Sequence, residues 1–156
     1  MEVVQDLSNI RINNQHKTTT LDIKDLYANL LVRNIISITK FWLDKYNNQN
    51  AITKHTLELI KLVLNQNYFQ YNDKYYKPTQ GTAMGSPLSC TLAEIYLQYI
   101  EELMVKHWME MHEITYYRRY VDVIIIICHL NKINEDLITS YMNSTHKHLE
   151  CKPTKT

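Results

Sequence analysis

The run Tyr116-Tyr117-Arg118-Arg119-Tyr120-Val121-Asp122-Val123-Ile124-Ile125-Ile126-Ile127-Cys128 is almost wholly aromatic and β-branched, the residue types that pack well on a pleated surface. From Ile114 onward it far exceeds the usual strand of roughly five or six residues. Something must break it. Asp122 is the only charged residue from Tyr120 to Cys128, and a lone carboxylate is costly to bury inside such a run. The turn or sheet end therefore belongs at Val121-Asp122.

Upstream, the backbone punctuation is concentrated. The chain has two glycines and three prolines, and Pro78, Gly81, Gly85 and Pro87 fall within one short stretch. Gly supplies conformations that other residues resist and Pro presets φ, so this stretch reads as a shaped loop. Ser86 and Pro87 then form an N-cap and first-turn pair for a long helix with an apolar stripe of Leu88, Leu92, Tyr96, Tyr99, Leu103 and His107 or Trp108. Before the loop, Tyr68-Phe69-Gln70-Tyr71 and Tyr75-Tyr76 flank the turn-forming Asn72-Asp73-Lys74, which predicts a hairpin.

Further upstream, Thr18-Thr19-Thr20-Leu21-Asp22-Ile23 reads as a short strand ending near Asp22. With Asp25 as N-cap, a helix follows along Tyr27, Leu31, Ile35, Ile38 and Trp42, stopped by Asn47-Asn48-Gln49-Asn50. Thr53 is expected to cap a second helix, with Ile52 and Leu57 as a hydrophobic staple and Leu57, Ile60 and Leu64 continuing the face. These helices are expected to cover one side of a sheet. Downstream, residues 134–148 are weakly helical.

The bulk properties set few limits. With 156 residues and 45% hydrophobic content, one compact domain is expected. A net charge of +1 supplies no global field for a polyanion, so nucleic-acid contacts must come from local clusters. The odd cysteine count, without CxxC spacing, argues against a disulfide framework and suits a reducing interior; the expected location is intracellular, with nucleus and cytoplasm undistinguished. The longest apolar run is far too short to span a bilayer, so no membrane partner is expected.

Three constellations carry chemistry. Asp22 at a strand end, beside a backbone carbonyl, suits a hard cation. The loop from Gln80 to Ser89 leads into a helix N-terminus and lets backbone N–H groups approach a phosphate or base. Arg118, Arg119 and the flanking tyrosines combine guanidinium groups and stacking faces with the acid at Asp122. Taken singly, each has an ordinary structural use.

Their order is more specific. Leu21-Asp22-Ile23-Lys24-Asp25-Leu26-Tyr27 resembles motif A of reverse transcriptases. Gln80-Gly81-Thr82-Ala83-Met84-Gly85-Ser86-Pro87-Leu88-Ser89 resembles motif B. Tyr117-Arg118-Arg119-Tyr120-Val121-Asp122-Val123 resembles motif C, usually Tyr-x-Asp-Asp. The stretch from Asn67 to Glu101 looks most like Penelope-like retroelements, a group related to telomerase reverse transcriptases. The resemblance runs from about residue 18 to the C-terminus.

That resemblance implies an α+β right-hand polymerase palm, an antiparallel sheet with helices on one face. Residues 18–156 would form the palm core and 1–17 a remnant of fingers or linker, with incomplete fingers and no thumb. It further implies RNA-templated DNA synthesis with two Mg²⁺ ions, an RNA template, a DNA primer and dNTP as partners. Asp22 and Asp122 match the metal-bridging catalytic pair, and the Ile23 carbonyl a further ligand. Tyr27 matches the steric gate against a ribose 2′-hydroxyl, and Gln80 and Gly81 match residues lining the nucleotide and template pocket. Arg118 and Arg119 lie where the primer-side strand passes. Val123 stands where the second aspartate of motif C is expected, which lowers the expected metal affinity and makes this chain an impaired or inactive polymerase fragment. The alternative is a non-catalytic nucleic-acid-binding remnant.

Overall fold

The computed structural model describes residues 6–8, 10–46 and 50–154. Residues 47–49, most of the expected polar stop, lie outside the described residues, as do 1–5 within the expected fingers remnant. Two compact units make up the chain: Met1–Lys24 with Glu102–Thr156, and Asp25–Glu101. Among the described residues, no helix is long and apolar enough to cross a membrane.

The first unit is built on an antiparallel sheet. Its strands are β1 (His16–Lys24), β4 (Tyr116–Tyr120), β5 (Val123–His129) and β6 (Glu150–Pro153), in the order β4-β5-β1-β6. The long apolar run breaks at Val121-Asp122 as the isolated carboxylate predicts, and β4 pairs back on β5 from Tyr120↔Val123 to Tyr116↔Ile127. Strand β1 pairs with β5 from His16↔His129 to Asp22↔Val123. Because side chains alternate across a strand, this register places Thr19, Leu21 and Ile23 on one face with Ile124, Ile126 and Cys128. All six are buried. Helix α6 (Glu135–Thr145) packs on β6, and Asn134 caps it by accepting from the Leu137 N–H at 2.8 Å.

Strand β6 is not foreseen from the sequence. It is a four-residue edge strand, too short to show periodicity, and its outer side is satisfied by one amide. The Asn143 side chain donates to the Cys151 carbonyl (3.1 Å) and accepts from the Cys151 N–H (2.6 Å). A side chain thus takes the place of a further strand at an edge that would otherwise present unpaired backbone groups.

The second unit is helical apart from the hairpin β2 (Phe69–Tyr71) and β3 (Lys74–Tyr76). The single helix expected from Asp25 is two helices, α1 (Leu26–Asn29) and α2 (Val32–Tyr46). Leu30 ends α1 in an extended conformation and is fully buried. Asp25 does occupy the N-cap position, but in the left-handed region and without a side-chain cap bond. Helix α3 (Asn50–Asn65) begins earlier than expected. Thr53 is therefore not a cap: it sits within the helix, buried, and Ile52 faces solvent, so no staple forms with Leu57. Leu57 and Leu64 do form the buried stripe.

Helix α4 (Pro87–Ile100) starts where Ser86-Pro87 predicts, with Pro87 in the first turn, although the Ser86 side chain makes no cap bond. It packs on α2 and α1. The expected stripe fails at Leu103. Glu101–Val105 form a π-helical turn, which inserts extra residue length and resets the helical phase. Leu103 is exposed, while Val105, ahead of α5 (Lys106–Met111), and Trp108 within it are buried.

Candidate two-carboxylate site and glycine loop

Asp22 lies within β1 rather than at its end, with its ladder to β6 continuing through Lys24↔Glu150. Toward β5, however, Asp22↔Val123 is the last rung. The next step is a single bond across the turn, in which the Ile23 N–H donates to the Asp122 carbonyl at 2.8 Å. Asp22 and Asp122 are thus one register step apart, and both are half-buried. The N–H and C=O of one strand residue face the same neighbour, so the Ile23 carbonyl is directed to the Asp122 side as well. The edge bonds of Cys151 agree, because Cys151 is opposite Ile23 and turns its own backbone groups the other way, to Asn143.

The turn carrying Asp122 is strained. Val121 has φ 53°, a left-handed conformation that costs an L-residue roughly 1–2 kcal/mol and is least suited to a β-branched one. The Arg119 guanidinium donates to the Val121 carbonyl at 3.1 Å and braces that turn.

Register divides the site's surroundings between two faces. Val123 and Asp22 share one face, together with Arg118 and Lys152. Arg119 is on the other. Of the two arginines, only Arg118 shares the face of Asp22, and it forms an ion pair with Asp6 at 3.8 Å. Lys152 pairs with Glu150 at 3.1 Å. Neither Asp22 nor Asp122 enters an ion pair with a described residue.

Two half-buried carboxylates and an inward carbonyl, without a cationic partner, are hard oxygen donors of the kind Mg²⁺ takes. The donor set fits a divalent ion but is sparse. Among the described residues, no group of three His, Cys, Asp or Glu side chains is arranged to hold a metal. Cys151 is close to Asp22, yet burial first and the Asp22 charge second push its thiol up to about 11. It is a neutral neighbour at physiological pH and not a third anionic ligand. Val123 directly faces Asp22 and brings no further oxygen donor.

Tyr27, Gln80 and Gly81 belong to the second unit. Tyr27 is in α1, with its hydroxyl 3.4 Å from Cys90 Sγ. Its carbonyl accepts from the Thr82 N–H at 2.8 Å and the Thr82 hydroxyl at 3.4 Å. The glycine loop is therefore tied to the turn of helix that carries Tyr27. Gly81 is the closest point: its φ is 82°, and a Cβ there would lie 2.6 Å from the Ala28 carbonyl oxygen and 2.7 Å from that of Tyr27. Gly85 also has positive φ, 93°, but open space around it. Gln80 is exposed. Sequence reasoning found both glycines through their rarity, but the backbone contact at Gly81 has no sequence signal because the atoms it meets are main chain.

No protein-family model matches the chain, and no curated protein matches it. Among solved structures it is similar to apo telomerase from Candida tropicalis truncated from its C-terminal domain, at 15% identity and a TM-score of 0.62. The likeness covers 90% of this chain and 31% of the telomerase chain, so the present chain spans about a third of that structure's length. Telomerase is a reverse transcriptase, and the chain has a reverse-transcriptase-like, mixed α+β fold with an antiparallel sheet.

Proposed function

We propose that this chain is part of the palm of an RNA-directed DNA polymerase, with residues 18–156 as the palm core and a metal site weakened by Val123. The observation that carries the reading is the register that brings Asp22, on the last rung of the β1–β5 ladder, beside Asp122 in the turn that precedes β5. Positions a hundred residues apart in sequence become neighbours, as a shared metal requires. The stretch from Asn67 to Glu101 supports a Penelope-like origin by its resemblance to that group.

In this reading Asp22, Asp122 and the Ile23 carbonyl hold Mg²⁺. Two such ions, when bound, activate a primer 3′-hydroxyl and stabilise the departing pyrophosphate. Tyr27 excludes a ribose 2′-hydroxyl, and its position is fixed by the Thr82 bonds to its carbonyl. Gln80 and Gly81 line the base and template side. Arg118 contacts primer phosphate, exchanging Asp6 for it. Arg119, on the opposite face and bonded to the turn, is a positioning residue for Asp122.

The partners of this reading are an RNA template, a DNA primer and a dNTP. Equilibrium dialysis with Mn²⁺ tests it. The expected result is that dTTP is retained only when Mn²⁺ is present, that UTP is retained several-fold more weakly, and that Tyr27→Ala narrows the difference. Asp22→Asn should abolish the metal-dependent part. Nucleotide retention indifferent to Mn²⁺ and to Asp22→Asn would overturn the proposal.

A further inference from the structure

The β2–β3 hairpin is the most exposed aromatic feature of the second unit. Every residue of both strands is exposed, with Tyr75 at 75% and Tyr71 at 65%. Asn72 and Asp73 both have positive φ, as a two-residue type I′ turn requires. Leaving five large rings in water is unfavourable, and contiguous exposed apolar surface of this kind marks an interaction site.

The chemistry of the hairpin narrows the partner. Residues 68–77 contain no Leu, Ile, Val or Met, the aliphatic side chains that fill a protein interface core. They offer flat rings, Lys74 and Lys77, and one acid, Asp73, confined to the turn. Phe69 and Tyr76 form a stacked cross-strand pair, with ring centroids 5.5 Å apart and planes 20° apart. On the opposite face, Lys77 lies over the Tyr68 ring at 5.7 Å. Flat rings interleaved with cations are what a polynucleotide strand meets on proteins that bind it by stacking and phosphate contact. The spacing is also suitable on the face that the register gives to Phe69, Tyr71, Lys74 and Tyr76: same-face residues recur roughly every 6.8 Å along a strand, about twice the roughly 3.4 Å between stacked bases, so rings and bases can alternate.

We propose that this hairpin is a stacking platform for single-stranded nucleic acid on the face of Phe69, Tyr71, Lys74 and Tyr76, with Tyr71 and Tyr76 receiving bases and Lys74 meeting phosphates. The choice of RNA as the strand rests on the polymerase reading above, since the hairpin runs through Pro78 and Thr79 directly into Gln80 and the glycine loop. The stacking itself does not depend on that reading.

Fluorescence anisotropy of a labelled 12-nucleotide RNA, with the full chain at low and moderate salt, tests the inference. Tyr71→Ala and Tyr76→Ala should each weaken binding by about fivefold or more, while Tyr71→Phe and Tyr76→Phe retain it. Duplex RNA of the same length should compete poorly, and a single-stranded DNA arm measures the preference for RNA. Circular dichroism of each variant should match the parent, since both side chains are exposed. Unchanged affinity in the alanine variants, equal competition by duplex, or no RNA binding at all would overturn the proposal. So would self-association that the alanine variants abolish while RNA affinity is untouched, which would make the face a contact between copies. If RNA binding ignores the hairpin while Mn²⁺ retention still requires Asp22, this inference fails and the polymerase reading stands. The converse pattern removes the polymerase reading and leaves the hairpin.

Discussion

Val123→Asp is expected to tighten divalent-cation binding about tenfold and to reverse the sign of its own effect on stability when metal is added. Val123 is the direct cross-strand partner of Asp22, and opposed residues on one face have Cα atoms about 4.5–5.5 Å apart. At 36% exposure, its methyl groups contribute little that the substitution would remove. Without metal, the new carboxylate faces Asp22 directly, and like charges so placed cost roughly 0.5–1 kcal/mol. With Mn²⁺ or Mg²⁺, the same carboxylate becomes a third anionic ligand, worth on the order of 1–2 kcal/mol of attraction at the screened dielectric of a half-buried site. Because the cation binds the folded state, that affinity appears as added stability. The thermal midpoint of Val123→Asp should thus lie below the parent in EDTA and above it in millimolar Mn²⁺. Val123→Asn, which lacks the charge, should show neither shift. A Val123→Asp midpoint that ignores the metal would mean that Asp22 does not contribute to a cation site.

Gly81→Ala is expected to destabilise the second unit by about 3 kcal/mol. Two costs combine at this position. A φ of 82° is a conformation that an L-residue adopts only at roughly 1–3 kcal/mol. The added Cβ would also sit 2.6–2.8 Å from main-chain atoms of Tyr27 and Ala28, and a main-chain neighbour cannot rotate away as a side chain can, so overpacking adds about another 1–3 kcal/mol. Relief requires moving the loop off α1, which would break the Thr82 bond to the Tyr27 carbonyl. Gly85→Ala provides the internal comparison, because Gly85 shares the positive φ but meets nothing within 4 Å. It should cost only the conformational part. Urea unfolding that gives equal losses for the two substitutions would show that the close approach is not what fixes Gly81.

The difference between the two glycines also shows where sequence reasoning reaches its limit. The turn at Val121-Asp122 is legible because a lone carboxylate in an apolar run has only one inexpensive place to go. The hairpin is legible because Asn72 and Asp73 tolerate left-handed backbone. The start of α4 is legible because Ser86 and Pro87 favour a helix entry. All three are local effects. The break at Leu30 is not legible, since Tyr27, Leu31 and Ile35 keep helical spacing across it and the core position of Leu30 overrides that pattern. The exposure of Leu103 follows from a π-helical turn that no residue type announces. Thr53 reads as a cap from its residue type, but the helix begins at Asn50 and makes it an interior residue.

The candidate site divides in the same way. Motif resemblance selected Asp22, Asp122, Tyr27, Gln80 and Gly81 without geometry. Strand register then supplied what the motifs lacked: that Val123 faces Asp22, that the Ile23 carbonyl is directed to Asp122, and that Arg118 and Arg119 lie on opposite faces. Pairing between strands a hundred residues apart is a tertiary property, and neither strand's own sequence determines it. Cys151 beside Asp22 was missed for the same reason, since β6 is too short to declare itself.

The proposed reading requires Asp22 and Asp122 to share a bound cation. Paramagnetic broadening by substoichiometric Mn²⁺, read residue by residue in an amide ¹H–¹⁵N spectrum of the full chain, tests it most directly. The signals of residues 22–23 and 122–123 are expected to broaden first, and Asp22→Asn to abolish the effect there. Broadening that begins elsewhere, or that survives at residues 122–123 in Asp22→Asn, would contradict it.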